Sequence, residues 1–143
     1  MTSQRFELAI QLRWGDMDSF NHVNNVQVAR LFEEARVRAL ADWFGGPDMR
    51  VTVLVARQEI EFASPLAYTL EPATIVAWIS RVGTASFDIA ATLTDPAGRL
   101  CAQVSTTLVS IDSSTGRSAP LTQQAVSVLG DHLGDPLPFR HRS

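Results

Sequence analysis

One stretch limits the folds open to this chain more than any other. VQVARLFEEARVRALADWF, Val26 to Phe44, is its only long helical pattern, and most of the chain around it reads as strand. Val28, Phe32, Ala35, Ala39 and Trp43 recur at helical spacing and make the principal apolar face. Val26 and Val37 fall on the opposite side, while Leu31 and Leu40 widen the stripe. A helix this apolar needs cover on more than one side, from a sheet wrapped around it or from a partner. Gly45-Gly46-Pro47 stops it, two permissive residues followed by one without an N–H.

Phe6 to Trp14 alternates, with Phe6, Leu8, Ile10, Leu12 and Trp14 on one face, as a half-buried strand does. After the helix, Arg50 to Ala63 is rich in β-branched residues, and Thr74 to Val82, Ala85 to Thr94 and Leu100 to Ile111 follow as further strands. Gly83 and Asp95-Pro96-Ala97-Gly98 are the turns between them. Strands joined by turns this short pair antiparallel. Leu121 to Leu133 has the pattern of a short helix, and Pro136 to Ser143 reads as a tail. The class is therefore α+β, a sheet with one apolar face and one long helix to cover it.

The 143 residues suit a single domain, and 45% hydrophobic with 19% charged residues is a globular composition. A net charge of −3 offers no footprint for nucleic acid. No signal peptide or membrane-spanning run is read. The lone Cys101 lies in an alternating apolar stretch, where a buried small residue is the plain expectation, and a single thiol fits a reducing cytoplasm.

The chemistry is concentrated just before the helix. Asp16, Asp18, Asn21, His22, Asn24 and Asn25 fall within ten positions and lead into a helix N-terminus, where backbone N–H groups lack intrahelical partners and carry partial positive charge. Free N–H groups around Asn24 to Gln27 can hold a carbonyl oxygen. Asp18 can attack that carbonyl, deprotonate water, or simply cap a turn. Asp16 has the stronger claim to a turn or capping role. His22 can bond Asp18, position water or fix the loop, and Asn24 and Asn25 divide between capping and substrate contact. Glu33 and Arg36 sit on the flank of the apolar face, where they can border a pocket. No second cluster completes a metal site, and Ser86 has no nearby base.

WGDMDSFNHVNN running into the helix, FEEAR within it, RVGTASF at a strand turn and DPAGRLCAQVSTTLVSID across the last hairpin together resemble the hotdog-fold acyl-CoA thioesterases of the 4-hydroxybenzoyl-CoA thioesterase type. The resemblance implies a hotdog fold, a five-stranded antiparallel sheet wrapped around one long central helix, with its core at about residues 5–121 and a short helix and tail over 121–143. It implies a cytoplasmic thioester hydrolase acting on an acyl-CoA or an acyl-carrier-protein thioester, with no cofactor and no metal. Asp18 takes the place of the family's catalytic carboxylate, with His22 and Asn25 beside it. Asp16, Asn24, Val26 and Glu33 are weaker candidates for substrate contact. It also implies a homodimer through the strand Arg50–Ala63, with a tetramer as the further option, and no nucleic-acid or membrane partner. Two rivals remain: a non-catalytic acyl-CoA binder, and an enoyl-thioester hydratase or dehydratase using His22. The length of an acyl pocket depends on how Trp43, Phe44, Phe62 and Trp78 pack.

Overall fold

A computed structural model describes residues 5–45 and 51–140. β1 (Phe6–Ile10) leads through a 3-10 turn (Trp14–Asp16) into α1 (Asn25–Trp43), followed by β2 (Val53–Phe62), β3 (Ala73–Val82), β4 (Ser86–Thr94), β5 (Leu100–Ser110) and α2 (Gln123–Gly130). The five strands make one antiparallel sheet in the order β1-β3-β4-β5-β2. Tight turns join β3, β4 and β5. At the second turn the Asp95 carboxylate accepts from the amides of Ala97 and Arg99, and Gly98 takes φ +87°. β1 and β2 lie on opposite edges, so α1 is the crossover that carries the chain from one to the other. This is the hotdog arrangement expected from the sequence.

Register explains how the sheet holds the helix. Leu8, Ile75, Leu93 and Ala102 stand opposite one another across four strands, and Ala77, Ala91 and Val104 form the next rung. Residues paired in this way point to one face. Val28, Leu31, Phe32, Ala35 and Ala39 are the buried side chains of α1. Phe32 and Arg36 lie beside Ala77 and Ala91 of the sheet, and Ala35 and Ala39 are wholly buried. Burial of Val28, Leu31 and Phe32 contributes about 2 kcal/mol each.

Several boundaries differ from the sequence reading. β1 stops at Ile10, and Trp14 is 75% exposed, because the chain leaves the sheet and turns at Trp14–Asp16. The helix begins at Asn25 and ends at Trp43, with Gly45 at φ +75°; Gly46 and Pro47 lie outside the described residues, as does Arg50, the expected start of the next strand. Trp43 is only half-buried and stacks on His132, ring centroids 4.5 Å apart.

The expected tail is the largest correction. Gly134 donates its amide to the Ile79 carbonyl (2.7 Å), the Trp78 indole N–H donates to the Asp135 carbonyl (2.8 Å), and the Arg140 amide donates to the Glu61 carboxylate (2.8 Å). Trp78 and Glu61 lie on the face turned away from α1, so residues 132–140 form a strap from β3 to the β2 edge. Short polar and proline-rich segments carry no periodicity, which is why the sequence reads as a tail there. A Cβ on Gly134 would lie 2.8 Å from Cδ1 of Trp78. Gly134→Val should therefore lower Tm by about 3–8 °C, the effect of a tight overpacked contact in a chain of this size. An unchanged melting curve would contradict a seated strap.

Candidate active site

Met17 to Val23 closes on itself as a small hairpin. Met17 bridges Val23, the Asp18 amide donates to the His22 carbonyl (2.8 Å), and Asn21 sits at φ 61°, a conformation its short amide side chain tolerates. The Asp18 carboxylate accepts from the Phe20 amide at 2.8 Å and more distantly from the His22 amide at 3.4 Å. The Val23 amide donates to the Leu66 carbonyl (2.7 Å) and His22 bridges Ala67, so the hairpin is fastened to the segment after β2.

Asp16 anchors the base of this hairpin. Its side chain is 1% exposed, and it accepts from the Arg13 amide (3.0 Å), the Arg13 guanidinium (3.0 Å) and Arg30 on α1 (3.3 Å). Its backbone carbonyl accepts from the Asn24 amide (2.9 Å). Burial alone would raise its pKa. Hydrogen bonds from the Arg13 side chain and backbone, with the charges of Arg13 and Arg30, more than offset this and hold the carboxyl below its ordinary value. All of its bonding is spent on the loop and the helix, leaving Asp16 a positioning group.

The start of α1 then has a definite pattern of used and unused donors. Asn24 caps the helix, its side-chain oxygen accepting from the Val26 amide at 2.8 Å. The Asn24 amide is taken by Asp16. Among the described residues the amides of Asn25 and Gln27 donate to nothing. Beside Asn25 opens a cavity of about 290 Å³ whose walls also include Val23 and Val28, Phe62 from the end of β2, and Cys101 and Ala102 from β5. The residues pinned to the hairpin, Leu66 among them, form its other side.

The sequence candidates are thus distributed unevenly. Asn25 faces the cavity; Asp18 is partly exposed on the hairpin fastened to the cavity wall, and His22 is exposed beside it, meeting the Asp18 carboxylate through its backbone amide alone. Val26 is 68% exposed and its amide belongs to the cap. Glu33 lies eight residues along the helix from Asn25, about 12 Å, exposed and 3.7 Å from Arg36, away from this cavity. Burial lowers the Arg36 pKa, with Glu33 acting in the other direction. Of the four aromatics weighed for the pocket, Phe62 alone lines it. Phe44 is core, Trp43 stacks on His132 and Trp78 holds the strap. Sequence reasoning missed the wall from Cys101 and Ala102. Their alternation marks them as buried but does not reveal which helical turn they meet.

The Asp16 anchor has a measurable consequence. Asp16→Asn should destabilise the protein by about 2 kcal/mol at pH 7. Because the folded-state pKa is depressed, the wild-type advantage is fully present above the unfolded value of about 4 and is lost as pH falls through the lower folded value. Urea melts of both proteins across pH 2–7 check this as an approximate range; a difference that stays constant with pH would contradict the anchor.

Comparison with known proteins bears on the family and the fold. The family model of the thioesterase-like superfamily matches residues 12–129. A predicted thioesterase from Bacillus stearothermophilus superposes with TM-score 0.84 at 24% identity, covering 93% of this chain and 99% of that one. A thioesterase from Thermus thermophilus, complexed with coenzyme A and Zn, gives TM-score 0.73 at 24% identity over 86% of this chain and 90% of its own. The hypothetical protein SAV2348 from Staphylococcus aureus, in complex with CoA, gives 0.84 at 17% identity, covering 99% and 92%. No curated protein matches the sequence. At these identities the solved structures speak to the fold, while the family model spans most of the chain: the protein belongs to the thioesterase-like superfamily.

Proposed function

We propose that the protein hydrolyses the thioester of an acyl-CoA in the manner of the 4-hydroxybenzoyl-CoA thioesterase type, with Asp18 as the reacting carboxylate. The observation that carries this is the pair of unused amides in the first turn of α1, Asn25 and Gln27, the first of them in the wall of an apolar cavity. A thioester carbonyl seated there would place its oxygen against two donors at the positive end of α1, and the charge that develops on attack would be stabilised where it forms. Two routes suit Asp18. Its carboxylate oxygen bonds to the carbonyl carbon, the C–S bond breaks, and water then cleaves the mixed anhydride. Alternatively it takes a proton from the water that attacks. In both, CoA leaves as a thiolate and is protonated. His22, exposed beside Asp18, can order that water, and Asn24 keeps the amides aligned by capping. Coenzyme A in complexes of proteins sharing this fold supports a CoA ester as substrate. An acyl-carrier-protein thioester would present the same reacting group.

The reading includes a homodimer through β2. This strand lies on the sheet edge, and Leu54, Val55 and Phe62 on it are 57%, 50% and 51% exposed. An unpaired edge with exposed apolar residues offers a ready template for a partner strand. Phe62 also lines the cavity, so a second copy at this edge would border the site. No helix among the described residues is long and apolar enough to cross a membrane, and the unpaired Cys101 fits the cytoplasm.

Purified protein should release free thiol from at least one member of an acyl-CoA panel, and Asp18→Asn should lower kcat at least about 100-fold with its melting curve intact. Full activity in the variant would remove Asp18 from the chemistry. Intact ester after long incubation with wild type would mean a binder, and absorbance of a conjugated thioester would mean hydration or dehydration. Val55→Lys should convert the dimer to monomer by sedimentation; an unaltered dimer would place the interface elsewhere.

A further inference from the structure

The cavity at the start of α1 has a composition and a depth that select among acyl groups. Resting on the thioesterase reading, we infer that this cavity is the acyl site, and that Val28, Ala63, Cys101 and Ala102 suit it to an uncharged, medium-length acyl chain. Its volume is about 290 Å³. An apolar cavity of about 150 Å³ admits a benzene ring, so this one accommodates a chain of about eight to ten carbons.

None of its lining residues carries a charged side chain. The Ser64 hydroxyl is already spent, donating to the Leu100 carbonyl at 2.6 Å. Cys101 is 2% exposed, with its sulfur 3.5 Å from the Arg99 carbonyl; burial pushes its pKa up, so it presents a neutral thiol to the cavity. A carboxylate carried deep on the acyl group would meet no charged partner among these walls. The cavity therefore disfavours dicarboxylic acyl groups.

The depth is limited by the next turn of the helix. Phe32 follows Val28 at i+4 and is 1% exposed, while Val104 follows Ala102 at i+2 and is 3% exposed. The void that these two border beneath the sheet is only about 10 Å³, too small for more than a water. A chain entering past Asn25 therefore meets a packed stop after one rung. The space in front of that stop exists because Val28, Ala63 and Ala102 are small.

The test is thiol release from acetyl-, butyryl-, octanoyl-, palmitoyl- and succinyl-CoA by wild type and by Val28→Phe. Wild-type kcat/KM should peak at octanoyl and fall at least about tenfold for palmitoyl and succinyl. Val28→Phe should move the peak to acetyl or butyryl. Ala63→Phe, at the exposed rim, should do the same and keeps the comparison readable if Val28→Phe does not fold. An unchanged chain-length profile in a folded variant, or succinyl-CoA turned over as fast as octanoyl-CoA, would overturn the inference. Should wild type hydrolyse none of the esters, the thioesterase reading fails on its own. The acyl preference is then read by calorimetry, where equal affinities for octanoyl- and succinyl-CoA would overturn it.

Discussion

The buried carboxylate of Asp16 is the interaction on which the site depends. It joins three pieces of chain: the end of the first strand segment through Arg13, the long helix through Arg30, and the helix cap through the bond from Asn24 to its carbonyl. A carboxylate removed from water in this way is tolerable only because charged donors surround it. The same anchor sets the donors of the first helical turn. With Asn24 drawn back to Asp16 and its side chain turned onto Val26, the Asn25 and Gln27 amides are left without acceptors among the described residues. The hairpin carrying Asp18 emerges from the same anchor.

The sheet supplies the rest of the site by closing round the helix. Because β1 and β2 occupy opposite edges, the crossover helix has to run beneath the strands, and its first turn comes to lie beside the end of β2 and the start of β5. Small side chains at that meeting leave a cavity, whereas one turn further Phe32 and Val104 close the gap. The outer face is treated differently. There residues 134–140 fold over Trp78 and are tied to Glu61, while Leu54, Val55 and Phe62 stay exposed on the β2 edge.

Much of this architecture was legible in the sequence, for physical reasons. The helix announced itself through the spacing of Val28, Phe32, Ala35 and Ala39, and its excess of apolar residues implied a sheet around it. The last strand, Leu100 to Ile111, alternates cleanly because one of its faces meets the helix. Trp14 misled because alternation continues past the point where Asp16 pulls the chain into a turn, and that pull is a tertiary effect. The strap was invisible because its bonds are made by backbone groups, which any sequence possesses. At the site, the cluster of acids and amides before the helix was evident, but not the division of labour within it. Asp16 and Asp18 are two positions apart and chemically identical; only the arginines that reach Asp16, Arg13 just before it and Arg30 on α1, separate anchor from candidate nucleophile.

The most direct measurement is a 15N–1H spectrum of the protein with and without a non-hydrolysable acyl-CoA analogue that keeps the carbonyl. The amide protons of Asn25 and Gln27 should move downfield on saturation, while that of Val26, held by Asn24, should scarcely change. If the Asn25 and Gln27 signals stay in place while another region of the chain responds, the carbonyl is not held at the mouth of α1.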